Sequence, residues 1–377
     1  MKTLKHSLIH NAETIVIKVG TNVLTHDNGL LNHERISDLV DQLAYLVKIK
    51  HKKVILVSSG AIGAGMGKLG IAKRPKTLPD IQALASVGQS ILIEAYRGEF
   101  NHHNIDIGQI LVTREDFQNR SRYQNISNTL TALLKKNILP IFNENDTVST
   151  REITFGDNDH LTTLVSHAIH ADLVIVLTST EGLLDMESGG RLIEFVPKID
   201  RKIFAKVTSD KSSRGAGGMK SKITAIRQMV QGGEAVILAN GNRENVLKAI
   251  ADGEEVGTFF KPVDNKLPTR KKWIAYSAKS SGEIHIDEGA RKALLNNRSL
   301  LPSGIKEVSG SFLKGSIVRV LCAGEEIARG VVNYASEEIS AVKGMKSREM
   351  AAVLENPMFE EVIHKDNLVV TAYTEDS

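Results

Sequence analysis

The feature that most constrains the fold is a repeated change of texture along the chain. Six short apolar runs rich in β-branched residues occupy 14–20, 53–57, 108–113, 138–142, 172–178 and 233–239. Between them, apolar residues recur at helical spacing over 31–50 and 160–171, 80–100 looks like another helix, 223–231 follows lysines at a helix start, and 123–136 leads to the fourth run. Strands alternating this regularly with helices predict an α/β fold, a mostly parallel sheet sandwiched by helices. Ligands bind such sheets beyond the carboxyl ends of the strands.

The texture changes late in the chain. Pro262 to Lys272 is polar and basic and holds two prolines, which marks a linker. Beyond it, runs such as 283–287, 316–321 and 327–332 are short, several alternate, and Gly, Ser and Asn turns separate them; only 288–295 is clearly helical. The expected organisation is a first domain over 1–262, a linker over 263–272 and a small, mostly β domain over 273–377.

Composition removes several classes. No run approaches the length of a membrane span, and residues 1–13 lack the apolar segment of a signal peptide. The expectation is a cytoplasmic protein with no membrane partner. The single cysteine, Cys322, excludes an internal disulfide framework and a clustered-thiolate metal site, and reads as a small core residue. The chain is +4 overall, yet residues 273–377 hold 12 Lys/Arg against 15 Asp/Glu. That acidic balance argues against a nucleic-acid module at the C-terminal end. The basic excess of the first part suits a phosphate-bearing ligand or simply a solvated surface.

Residues 143–159, N-E-N-D-T-V-S-T-R-E-I-T-F-G-D-N-D, lie between an apolar run and a helical pattern. Turn chemistry alone favours Asn, Asp and Gly there. Two clusters mixing amides and carboxylates on one loop also suit a small polar molecule that carries both charges. Lys18 sits near the carboxyl end of the first run, where it either reaches a phosphate or lies at a solvated edge. Ser58-Ser-Gly-Ala61 follows the second run directly, so its backbone N–H groups can meet an anion at a helix start. A second glycine-rich stretch, 215–222, leads with its lysines into a helical pattern, as an anion cradle or as a flexible turn.

Two nucleotide motifs fail. Residues 65–70 match G-x-G-x-x-G formally, but the match does not open at a strand end and no acidic residue follows at the required distance. No G-x-x-x-x-G-K-[ST] occurs anywhere in the chain. What remains is lysines at strand or loop ends, two anion cradles, a carboxylate and amide loop, and no obvious nucleophile–base pair. Phosphoryl transfer needs that set, because its catalysis is mostly positioning and charge neutralisation.

The chain resembles the amino acid kinase superfamily and, within it, the glutamate 5-kinase family with its C-terminal PUA domain. The matching pieces are I-K-V-G-T (17–21), S-S-G-A (58–61), V-G-Q-S (87–90), N-E-N-D (143–146), G-D-N-D (156–159), G-G-M (217–219) with Lys222, and L-P-S-G-I (301–305). They run in family order across nearly the whole chain. The resemblance implies ATP-dependent phosphorylation of the L-glutamate side-chain carboxylate to L-glutamyl 5-phosphate, the first step toward proline, with Mg²⁺ required. It implies that Lys18 and Lys222 neutralise the transferring phosphoryl group and that Asp159 holds them. Ser59, Asp146 and Asn158 would bind glutamate. Lys18, Thr178, Ser179 and the segment Ala216, Gly217, Gly218, Met219, Lys220, Ser221 and Lys222 would meet ATP. Some members carry Asp where this chain has Ser179. Feedback inhibition by proline and a dimer or tetramer are also implied, whereas metal ligands stay unassigned.

Sister kinases acting on aspartate, N-acetylglutamate or a nucleoside monophosphate share the cradles and differ in the acceptor loop. An RNA-binding role for the PUA domain is the alternative of a different class. His26, His160, His167 and His170 are not required by the chemistry and read as surface or helix histidines.

Overall fold

The computed structural model describes residues 2–26, 28, 30–149, 157–208, 216–264, 266–354 and 358–372. The chain divides into two compact units, Met1–Asp116 with Ser121–Lys266, and Phe117–Arg120 with Leu267–Ser377.

The larger unit is built on β1 (Thr14–Val19), β2 (Lys53–Val57), β3 (Ile107–Val112), β4 (Leu139–Glu144) and β5 (Leu173–Thr178). A small hairpin follows, β6 (Leu184–Asp185) with β7 (Arg191–Leu192). Then come β8 (Phe195–Val196), β9 (Ala235–Asn240) and β10 (Thr258–Phe260). Eight strands form one sheet in the order β3-β4-β2-β1-β5-β9-β10-β8. Every neighbouring pair is parallel except β9 with β10. The expected mostly parallel sheet is thus present, with the edge pair β8 and β10 added from runs too short to have been read.

Burial explains the strand signals. All six residues of β5 are buried, as are the last five of β1. A strand covered on both faces has no polar side to alternate with, so it reads as a continuous apolar run. Ile15, Ile17 and Val19 pack with Leu173, Ile175 and Leu177 and with Leu39, Leu43 and Leu46 of the helix His33–Lys48 in one core.

Helix starts depart from the sequence reading. The helix expected over 160–171 spans Asp157–Ile169, so Asn158 and Asp159 stand in its first turn rather than in the preceding loop. The helix expected over 223–231 spans Ala216–Gly232, which puts Gly217, Gly218 and Lys222 inside it. These two helices pack together, with Thr163 Oγ1 donating to the Ala225 carbonyl at 3.4 Å. Tertiary packing of this kind overrides the weak helix propensity of glycine. A first helix, Lys2–Asn11, was also missed.

In the smaller unit β11 (Gly282–Ile286), β12 (Ile305–Ser309), β13 (Ile317–Cys322), β14 (Glu325–Val331) and β15 (Leu368–Val370) form a sheet in the order β12-β11-β13-β14-β15. Its only long-range parallel pair is β11 with β13 among these described strands. The helix Glu288–Leu295 is capped by the Asp287 side chain, which accepts from Ala290 N at 2.7 Å. Cys322 is buried in this unit's own core beside Ile284, Val318 and Leu368. Within the stretch read as a linker, Thr269–Lys272 is helical and Lys272 is buried. No helix among the described residues is long and apolar enough to cross a membrane.

Candidate active site

The site stands at the carboxyl ends of four adjacent strands. In sheet order β4, β2, β1 and β5 end at Glu144, Val57, Val19 and Thr178. They deliver, side by side, the loop with Asp146, the turn Ser58–Gly60, Lys18 with Gly20, and Thr178 with Ser179. Lys18 pairs in register with Val57 on one side and Val176 on the other, so it lies mid-sheet. The Gly20 N–H donates to the Leu177 carbonyl at 3.2 Å, tying the chain after β1 to β5.

Three of the expected residues meet in one cluster. Lys18 Nζ lies 2.7 Å from Asp159 Oδ1, and Lys222 Nζ lies 3.1 Å from Asp159 Oδ2. One carboxylate therefore faces two ammonium groups, leaving the trio with a net positive charge. A Cβ built on Gly20 would stand 3.7 Å from Lys18 Nζ, and one on Gly218 3.8 Å from Lys222 Nζ. Glycine at both places leaves the approach to each ammonium uncovered. Burial pushes the Lys18 ammonium below its ordinary pKa; Asp159 opposes that shift and Lys222 adds to it. A second anion, such as a phosphoryl group, would relieve both the burial and the repulsion.

A second cluster adjoins the first through consecutive residues. Asn158 Nδ2 donates to the Ser58 carbonyl and to Ser59 Oγ, each at 2.8 Å, with Asn143 Oδ1 at 3.3 Å beyond. Asn143 Oδ1 also accepts from Glu144 N at 2.9 Å. Asn143 Nδ2 and Asn158 Oδ1 are buried with no protein partner among the described residues. One buried donor and one buried acceptor left over cost about 1–3 kcal/mol each. A ligand carrying both an acceptor and a donor would remove that cost. Asp146 is likewise buried, three residues after Asn143 on the same strand-end loop.

The remaining expected residues form the far side. Thr178 is buried and Ser179 exposed, and the Thr178 carbonyl accepts from Gly241 N at 2.8 Å. Ala216 and Gly217 open the helix that carries Lys222. Gly218, Met219 and Ser221 are half-buried and Lys220 is exposed. Lys220 and Ser221 line a cavity of about 400 Å³ with His160, Thr224, Ala225 and Gln228. A larger cavity, about 840 Å³, lies in the smaller unit between Asp287, Arg298 and Lys365, well outside the lysine cluster's own residues. Its size reflects an open groove, and chemistry rather than volume identifies the reactive site.

Two features were not read from sequence. Tyr96 is fully buried and its hydroxyl lies 2.9 Å from Ser58 Oγ. His167 belongs to a helix as expected but is fully buried, its Nε2 3.4 Å from Glu234 Oε2. Neither carries a local signal, since both partners are distant in sequence. Among the described residues no group of three or more His, Cys, Asp or Glu could hold a metal, and Asp159 is committed to its two lysines.

A model of the amino acid kinase family matches residues 13–240, and a model of the PUA domain matches residues 282–354. The glutamate 5-kinase of Caldanaerobacter subterraneus subsp. tengcongensis is 48% identical over 362 residues, covering 94% of this chain and 97% of its own. That of Thermoanaerobacter sp. (strain X514) is 46% identical over the same shares of both chains. Among solved structures, UMP kinase from Bacillus anthracis aligns with 68% of this chain and 98% of its own at 13% identity, with a TM-score of 0.45. The chain belongs to the amino acid kinase family, in which these relatives are glutamate 5-kinases, and it is a phosphotransferase with a PUA domain behind its kinase domain.

Proposed function

We propose that the protein transfers the γ-phosphoryl group of Mg-ATP to the side-chain carboxylate of L-glutamate, giving L-glutamyl 5-phosphate and ADP for proline synthesis. The observation that carries this reading is the buried Asp159 holding Lys18 and Lys222 beside an amide and carboxylate cluster at the strand ends. The names of the closely similar relatives support the same acceptor.

A glutamate carboxylate oxygen attacks Pγ, the bond from Pγ to the β,γ-bridging oxygen breaks, and ADP leaves with that electron pair. No general base is required, because a carboxyl group with pKa about 4.3 is already ionised at neutral pH. The barrier is the approach of two anions. Lys18 and Lys222 lower it by facing the phosphoryl oxygens, and Asp159 fixes both ammonium groups before substrate arrives. Ser59 and Asn158 bind glutamate, and the Asp146 carboxylate suits its ammonium. Thr178, Ser179 and the backbone of 216–222 receive the nucleotide. Mg²⁺ enters as the counter-ion of ATP, and no step here depends on a protein ligand to it. Feedback inhibition by proline, and assembly as a dimer or tetramer, complete the proposal.

The test is ADP release with Mg-ATP against L-glutamate, L-aspartate, N-acetyl-L-glutamate and UMP, with hydroxylamine present to trap acyl phosphate. Glutamate-dependent turnover with hydroxamate formation is the expected result. Turnover confined to another acceptor would overturn the assignment of glutamate and keep the phosphotransferase.

A further inference from the structure

The helix Leu78–His102 touches both loops of the acceptor cluster without contributing a residue to it. Its N-terminal half sits against the helix Ala61–Lys68 at backbone contact: a Cβ on Gly88 would stand 1.7 Å from the Ala61 carbonyl oxygen, and one on Gly65 2.0 Å from that of Leu84. Neither helix can slide along the other without a backbone clash. From this fixed rail Gln82 Nε2 donates to the Ser149 carbonyl at 3.0 Å and Gln89 Nε2 to the Glu144 carbonyl at 3.4 Å, both on the stretch that leaves β4. About two turns beyond Gln89, Tyr96 reaches the opposite side, the turn after β2.

Ser58 is the joint at that turn. Its N–H donates to the Phe142 carbonyl at 2.9 Å and its carbonyl accepts from Asn158 Nδ2 at 2.8 Å. Its hydroxyl donates to the Ser59 carbonyl at 3.2 Å, which leaves Ser58 Oγ to accept from the Tyr96 hydroxyl. Burial pushes the Tyr96 phenol far above its ordinary pKa, so it stays protonated at every working pH. The turn continues into Gly60, whose φ of +100° favours glycine and lets the chain swing at once into the helix Ala61–Lys68. With so free a residue beside Ser59, the turn is defined by its bonds to Phe142, Asn158 and Tyr96, and the bond to Tyr96 is the one that holds the Ser58 side chain from outside the turn.

We infer that Tyr96 is a positioning residue for the glutamate site: its hydrogen bond to Ser58 Oγ sets the strand-end turn that presents Ser59 and receives Asn158, so that both meet the amino acid. The inference rests on the reading that Ser59 and Asn158 bind glutamate. Tyr96 touches neither substrate nor the lysine cluster. Its loss therefore acts on the acceptor's side of the reaction and leaves the nucleotide's side, built on β5 and the helix Ala216–Gly232, as it was.

The experiment is steady-state kinetics and thermal unfolding of full-length Tyr96→Phe, Ser58→Ala, the double variant and Ser59→Ala. Tyr96→Phe should raise KM for glutamate by about three- to tenfold, the size of one hydrogen bond, with KM for ATP and kcat within about twofold. Ser58→Ala, which also removes the bond to the Ser59 carbonyl, should raise it at least as much, and the double variant should be no worse than Ser58→Ala, because the Tyr96 bond is already gone there. If Tyr96→Phe does not fold, Ser58→Ala alone decides by the same split. An unchanged glutamate KM in both, beside a raised one in Ser59→Ala, overturns the positioning role and leaves the site intact. Equal rises in both KM values with a lowered Tm overturn it in favour of plain packing. An unchanged glutamate KM in Ser59→Ala as well removes the site reading on which the inference stands.

Discussion

Lys18 and Asp159 form a buried ion pair, Nζ to Oδ1 at 2.7 Å, with side-chain exposures of 6% and 2%. The pair joins the central strand of the sheet to the first turn of a helix, and the second oxygen of the same carboxylate receives Lys222. Two cations and one anion in a poorly solvated place make a site that is electrostatically incomplete until a further anion enters.

Asp159→Asn should therefore damage both fold and reaction. Removing one partner of a buried pair leaves uncompensated charge, at a cost of about 3–5 kcal/mol. A loss of kcat of about 100-fold is expected once two preorganised donors lose their anchor. Chemical denaturation and steady-state kinetics of the same preparation separate the two effects. Full activity in a folded variant would remove Asp159 from the mechanism.

Lys18→Ala and Lys222→Ala should each lower kcat by about 100-fold or more, while glutamate KM changes little. Circular dichroism should report an intact fold for Lys222→Ala, since its ammonium is the less buried of the two, with a side-chain exposure of 17%. Rate constants within a few-fold of the parent, about 1 kcal/mol or less in barrier, would place phosphoryl transfer elsewhere.

The pH profile carries a sign. Lys18 acts as the protonated ammonium, and burial holds its pKa below the ordinary 10.5. Activity should thus be full at lower pH and fall as pH rises through that lowered pKa, giving kcat/KM for ATP an alkaline limb below 10.5. Because Asp159 raises the Lys18 pKa, Asp159→Asn should move the limb to still lower pH. A limb that stays in place would separate the titration from this pair.

Gly88→Ala tests the rail under the acceptor cluster. Its Cβ would fall 1.7 Å from the Ala61 carbonyl oxygen, so the helices must part. Overpacking of this kind costs about 1–3 kcal/mol or more. A Tm equal to that of the parent would mean the crossing is looser than described.

A chain ending at Lys266, the boundary of the larger unit, should keep measurable kinase activity, since every residue of the candidate site lies before it. Complete loss of turnover in a truncated chain that still unfolds cooperatively would give the PUA domain a part in catalysis.

Much of the fold was legible because a doubly covered parallel strand has to be apolar throughout, as in β1 and β5. The family motifs likewise supplied Lys18, Asp159 and Lys222 as a set, and the structure brings these three together. What the sequence concealed was non-local. Asn158 and Asp159 read as turn formers because their side chains can serve a turn or a helix start equally well. Gly217 and Gly218 read as loop because their helix is held by packing against its neighbour rather than by propensity. Tyr96 carries no signal of its own within the helical stretch 80–100, since nothing near it in sequence announces Ser58. Strands β8 and β10, two and three residues long, carry too few positions to show a period.

The place of β1 in the middle of the sheet has a consequence for how the protein is made. The first strand to leave the ribosome can pair with β2 early, but its other edge waits for β5, and Lys18 waits for Asp159 on the helix just before β5. Until the helix Asp157–Ile169 and β5 have emerged, the nascent chain holds an apolar strand with one open edge and a lysine without its counter-ion. Long-range parallel pairing of this sort is slow and exposed to misassociation. The kinase domain is therefore expected to close in a single late step, after β9 emerges, and to have no active form shorter than that.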